Sequence, residues 1–109
     1  VTKSSRCVLK EKKHGCIAHA SKVLGDKWTP LIIRALALKP RRFSELENEI
    51  GTISPSVLSQ RLEYLRESQI VHRAIFPDVP PRVEYSLTNK GRDLIPVLQQ
   101  MAAWGAKYA

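Results

Sequence analysis

Two groups of residues in this 109-residue chain have types and spacing that suit chemistry. The first centres on Cys16, which follows Lys12, Lys13 and His14. It falls at the expected start of a short helix, Cys16 to Leu24, in which Ile17, Ala20 and Leu24 share a face and Gly25 can end the last turn. Unpaired N–H groups and the helix dipole favour an anion at that end. The cations beside it add to the effect, and the thiolate they stabilise is the reactive form of cysteine. Cys7 is near enough in sequence to act as a resolving thiol, and a cysteine of a partner chain is the other option. The contrary reading is an inert cysteine packed between helices, since free cysteine is among the most buried residue types. His14, Cys16, His19 and Cys7 are also metal-ligand types. Their spacing fits none of the paired zinc patterns, so neither a metal nor a cofactor is expected.

The second group lies on the stretch from Ser54 to Arg66. Ser54 can cap free N–H groups, and Pro55 suits a first helical position because it has no N–H to satisfy. Leu58, Leu62 and Leu65 recur at helical spacing and make one apolar face. Ser56, Ser59, Gln60 and Glu63 fall on the other side, with Arg61 and Arg66 on its flanks. Short hydroxyls and an amide on such a face can hydrogen-bond base edges in a nucleic-acid groove. Alone, the same face also describes a solvated surface helix, so its neighbours must decide.

The elements around it point one way. A helix is expected from about Asp26 to Leu38, with Pro30 in its first turn. Its residues Trp28, Leu31, Ile32, Ala35 and Leu36 make it central to a core. Lys39-Pro40-Arg41-Arg42 puts a basic cluster into a loop or short strand. Ser44 to Glu47 has the form of a capping box opening a brief helix to about Ile50. Gly51-Thr52-Ile53 then turns into the polar-faced helix, which gives a helix-turn-helix. Two strands follow, Ile70 to Phe76 and Arg82 to Leu87, with Val83, Tyr85 and Leu87 alternating inward. The proline-rich segment between them makes a stiff loop, so the hairpin reads as a wing. Arg82 at its base can reach phosphates or a minor groove, or else pair with Asp78 or Glu84. Thr88 is expected to cap a last helix of about twenty residues, kinked at Pro96, where a hydrogen bond to Arg92 is lost. Its stripe of Leu94, Val97 or Leu98, Met101, Trp104 and Tyr108 can fold back on the core or pack against a second chain.

The totals narrow the class. The net charge is +8 and the pI about 9.9, a footprint of nucleic-acid binders that also suits anionic membranes. No stretch reaches the length of a membrane span and the start does not resemble a signal peptide, so a cytoplasmic chain is expected. No glycine-rich phosphate cradle and no set of nucleophile, base and orienting acid stands out, so an enzyme is not expected. Residues 1–13 read as a flexible basic arm and residues 14–109 as one domain. A basic adaptor that binds RNA or protein without reading DNA sequence is the alternative from another class.

The residues also carry a resemblance. Leu24-Gly25-Asp26-Lys27-Trp28-Thr29-Pro30-Leu31-Ile32, Arg42-Phe43-Ser44-Glu45-Leu46, Ile53 to Leu62 and Pro80-Pro81-Arg82-Val83-Glu84-Tyr85-Ser86-Leu87-Thr88 closely resemble the HxlR-type family. These are winged-helix transcription regulators related to the MarR group, and the likeness covers roughly residues 14–106. It implies a mainly α fold with a small β-hairpin, a winged helix-turn-helix with added N- and C-terminal dimerisation helices. It implies a homodimer on a pseudo-palindromic double-stranded DNA operator. Ile17, Leu94, Leu98, Met101 and Trp104 would lie at the dimer interface. Ser54, Ser56, Ser59, Gln60, Arg61, Arg66 and Arg82 would face DNA. Several members respond to oxidants or electrophiles through a cysteine near the first helix, the position of Cys16. Where the family commonly has Cys-Pro, this chain has Cys16-Ile17.

Overall fold

The computed structural model describes residues 15–109. The basic arm of residues 1–13 and Cys7 lie outside the described residues. The order is helix α1 (Gly15–Leu24), α2 (Thr29–Leu36), α3 (Phe43–Ile50), α4 (Pro55–Glu67), strand β1 (Val71–Phe76), β2 (Arg82–Leu87), a short α5 (Asn89–Arg92) and α6 (Ile95–Tyr108). This is the expected winged helix-turn-helix with a helix at either end.

The core forms where three helices meet the hairpin. Ile32, Ile33, Ala35 and Leu36 of α2 pack with Leu46 of α3, Leu58, Leu62 and Leu65 of α4, and Ile70, Val71 and Leu87 of the hairpin. α2 starts later than the sequence suggests, and the reason is Asp26. Its carboxylate accepts hydrogen bonds from the backbone N–H groups of Trp28 and Thr29, both at 2.8 Å, so residues 26–28 form the cap and not the first turn. α3 also departs by one step. It begins at Phe43, and Glu45, not Glu47, reaches back to accept from the Arg42 N–H at 2.8 Å. Ser44 therefore lies inside the helix, while Phe43 turns toward the core.

Gly51 closes α3 with φ +89°, a backbone conformation that costs a side-chain-bearing residue far more than glycine, and its N–H donates to the Glu47 carbonyl at 2.8 Å. α4 opens as expected: Ser54 Oγ accepts from the Val57 N–H at 3.3 Å, and Pro55 leads the first turn. It ends in a Schellman motif. Gln69 takes φ +63° and donates to the Arg66 carbonyl, while the Ile70 N–H reaches back to the Leu65 carbonyl. That turn aims the chain into β1.

The strands pair antiparallel, from Val71 opposite Leu87 to Phe76 opposite Arg82. Arg41 adds a single-residue bridge to Tyr85 on the other edge of β2, with both backbone bonds made. The end of the chain corrects the expectation of one kinked helix. Thr88 Oγ1 accepts from the Gly91 N–H at 3.0 Å and so caps only α5. Pro96 cannot donate to the Arg92 carbonyl, and the chain turns at Asp93-Leu94 and starts α6 afresh with Pro96 in its first turn. Gly91 is buried there, and the position suits glycine because a β-carbon would stand 2.3 Å from the Ile70 carbonyl oxygen.

Candidate nucleic-acid interface

α4 separates its faces cleanly. Leu58, Leu62 and Leu65 are buried, while Ser54, Ser56, Ser59 and Gln60 are exposed. Ser54 and Ser56 are 3.5 Å apart at their hydroxyls, and Ser59 and Gln60 have no hydrogen-bonding side-chain partner among the described residues. This row lies within the first two turns of the helix, about 9 Å along its axis. Ser59 and Gln60 thus offer a hydroxyl and an amide not engaged by other described side chains, the property needed to read base edges.

Arg66 lies farther along the same side. Its guanidinium donates to Glu63, with Nε at 3.1 Å from Oε1. Arg66 holds the Glu63 carboxyl below its ordinary value. An exposed pair of this kind is worth little and opens readily toward a phosphate.

Arg61 is different, because its side chain is engaged within the fold. Its Nη2 stands 2.9 Å from Asp26 Oδ2 and 3.0 Å from Thr29 Oγ1, and its guanidinium lies 4.7 Å over the Tyr64 ring. The side chain is half-buried between α4 and the segment that opens α2. It braces the helix from behind. Asp26 at the other end of this contact was not a candidate in the sequence. The only local sign is an acid three residues ahead of Thr29, the spacing of a cap.

Burial works to raise the Asp26 carboxyl, but the Thr29 hydroxyl, the Thr29 and Trp28 N–H groups and the Arg61 charge outweigh it, so the group ionises below its ordinary value. A carboxyl depressed on folding stabilises the fold above its unfolded pKa of about 3.9 and loses that contribution as pH falls through the lower native value. Asp26→Asn is therefore expected to be about 1–2 kcal/mol less stable than wild type at neutral pH. Denaturant titrations across pH should show this gap closing below about pH 4.

At the wing, Arg82 takes the paired arrangement. Asp78 lies 3.2 Å from its Nε, Glu84 lies 3.3 Å from its Nη1, and the guanidinium stacks 4.2 Å over Phe76. The residue remains about one-third exposed, held beneath a loop whose tip residue Val79 is fully exposed. Arg41 is bound within the fold, donating to the Ala35 carbonyl at 2.6 Å and lying 3.7 Å from Glu49. Arg42 and Arg73 are exposed, and neither is in an ion pair among the described residues.

Away from this face, α6 leaves an apolar stripe in solvent. Val97, Met101, Trp104 and Tyr108 are exposed at spacings of four, three and four, and Ile17 on α1 is exposed as well. Leu94 and Leu98, expected at an interface, pack instead against the chain's own core. Cys16 is the second residue of α1, half-buried and disulfide-bonded, and it lines a shallow depression with Ile17, Ala20, Ser21, Leu24 and Gly25.

Residues 23–109 match the HxlR-like helix-turn-helix family. The chain belongs to this family. Among its HxlR-like relatives is an uncharacterised HTH-type transcriptional regulator, BH0655, of Halalkalibacterium halodurans. It is 45% identical over 86 residues, covering 78% of this chain and 76% of the relative. The HTH-type transcriptional regulator YodB of Bacillus subtilis is 40% identical over 89 residues, covering 82% of this chain and 80% of YodB. The structure of diamide-treated YodB superposes with a TM-score of 0.73 at 39% identity, over 84% of this chain and 91% of that one. The redox regulator HypR in its oxidised form superposes with a TM-score of 0.81 at 34% identity, over 85% of this chain and 96% of that one. This HxlR-like chain is thus a transcriptional regulator, and its helix-turn-helix implies DNA binding. No helix among the described residues is long and apolar enough to cross a membrane.

Proposed function

We propose that this protein is a dimeric, sequence-specific regulator that acts in the cytoplasm and lays α4 in the major groove of a pseudo-palindromic operator. The observation that carries this is the exposed row of Ser56, Ser59 and Gln60, the last two without a hydrogen-bonding side-chain partner among the described residues, on a helix whose leucines are buried. The wing follows the backbone or the adjacent minor groove. Arg66 and Arg82 supply cationic contacts, and Ser54 both caps the helix and points toward the DNA. Cys16 is the redox-sensing residue. Support for that role comes from its place at the start of α1 and from two relatives, one solved after diamide treatment and one named a redox regulator.

Two substitutions test the docking. Gln60→Ala should cost about 1–3 kcal/mol on the cognate site and relax preference at the contacted base. Arg82→Ala should weaken all sequences evenly, since it leaves Asp78 and Glu84 uncompensated near phosphates, and should make the salt slope shallower by about one. Binding titrations on operator and scrambled DNA at several salt concentrations separate the two effects. Unchanged operator affinity in both variants would remove α4 and the wing from the interface.

A further inference from the structure

The leucines of α4 fix how deep the helix sits, but apolar contacts are non-directional and leave its rotation loosely set. Among the described residues, the side-chain hydrogen bonds that α4 makes to other helices come from one flank, Arg61 and Tyr64. Arg61 donates to the Thr29 hydroxyl and forms an ion pair with Asp26 Oδ2 at 2.9 Å, and the Thr29 hydroxyl in turn donates to Asp26 Oδ2 at 2.6 Å, so the three side chains close on one another. One turn on, Tyr64 donates its hydroxyl to the Lys22 carbonyl at 3.3 Å, in the last turn of α1. Thr29 is fully buried and Asp26 is held ionised by its neighbours. Arg61 is adjacent to Gln60 in sequence, so this cluster grips α4 at the level of the reading residues. On a helix about 10–12 Å across, a rotation of ~10° moves a side-chain tip by ~1 Å, enough to spoil a hydrogen bond to a base edge.

Resting on the reading of α4 as the DNA-reading helix, we propose that Asp26 is a positioning residue for base readout. Acting through Thr29 and Arg61, it sets the rotation at which Ser56, Ser59 and Gln60 meet the groove. Asp26 itself does not touch DNA. The rival account of the same contact is that Asp26 holds back an arginine that would otherwise bind phosphate.

The two accounts predict opposite signs. Removing an acid from a DNA-binding protein strengthens its attraction to phosphate. If Asp26 positions α4, Asp26→Asn should lower affinity for the operator about tenfold, with affinity for bulk DNA unchanged or slightly raised. Arg61→Gln should reproduce the loss on the operator, and Arg61→Lys, which keeps a cation opposite Asp26, should recover most of it. A rise in operator affinity with a steeper salt slope in Asp26→Asn would overturn the proposal in favour of the rival account. Equal losses on operator and bulk DNA, or no change on either, would overturn it too. The joint is also measured without DNA, through the unfolding equilibria of Asp26→Asn, Arg61→Gln and the double variant. Non-additive effects show that the two side chains act together, and additive effects would contradict the proposal. Should wild type prefer no sequence at all, the DNA reading fails, while the unfolding cycle still judges the joint.

Discussion

Replacing Met101 and Trp104 with glutamate should turn the protein into a monomer and cut operator affinity by ~100- to 10,000-fold. That range is what two linked half-site contacts gain over one. The expectation follows from α6, where Val97, Met101, Trp104 and Tyr108 stand 43%, 47%, 69% and 63% exposed on one stripe. The Trp104 and Tyr108 ring centroids lie 5.3 Å apart, and the stripe from Val97 to Tyr108 runs along about 16 Å of helix. On the proposed reading, a two-fold pairing of this stripe would bury the same patch of both chains and set two copies of α4 about one DNA turn apart, ~34–36 Å. Sedimentation of wild type and variant at micromolar concentration checks the assembly, and titration on a full operator and on one half-site checks the affinity. A wild-type chain that stays monomeric with and without DNA contradicts the expectation.

Oxidation through Cys16 should weaken operator binding by roughly 5- to 150-fold, the usual span of coupling between two sites. The route is short. Cys16 is in the first turn of α1, and the last turn of α1 holds the Lys22 carbonyl that accepts from the Tyr64 hydroxyl of α4. On the proposed reading, a small shift of α1 against α6 would change the spacing of the two reading helices of a dimer, which must fit one DNA together. The comparison uses fully reduced wild type, Cys7→Ser and Cys16→Ser, each with and without diamide or a quinone. Wild type should lose affinity on treatment and Cys16→Ser should not. A response that persists in Cys16→Ser assigns sensing to another residue.

Features set by neighbours in the chain were legible in the sequence. Ser54 and Pro55 open α4 as read, because capping involves only the next three residues. The leucine spacing of α4 likewise reports local periodicity, and the family resemblance rests on such runs, whereas on β2 the expected alternation does not appear: Tyr85 and Leu87 pack on the core, Val83 does not, and residues 82–86 are all half-buried. Boundaries were less legible. Ser44 and Glu47 have the spacing of a capping box, but burying Phe43 starts α3 one residue earlier and gives the role to Glu45. The last helix was read through Pro96, although a proline two residues into a new helix fits as well as a kink. Along α6, periodicity finds the apolar stripe but not which edge the core takes; packing gives Leu94 and Leu98 to the core and leaves Val97 and Tyr108 outside. The ion pair of Arg61 with Asp26 has no sequence signal at all, since its partners are far apart in the chain and share no pattern. Arg41 is the same kind of case, a one-residue bridge too short to show a strand period.

Selective DNA binding by the wild-type protein tests the central claim most directly. Genomic fragments retained by the purified, reduced protein at a stated salt concentration would be sequenced, and the enriched fragment titrated against bulk competitor. The account predicts a shared pseudo-palindrome, bound at least ~1000-fold more tightly than bulk DNA at fixed salt. Fragments with no common sequence, and a ratio near one, would contradict it.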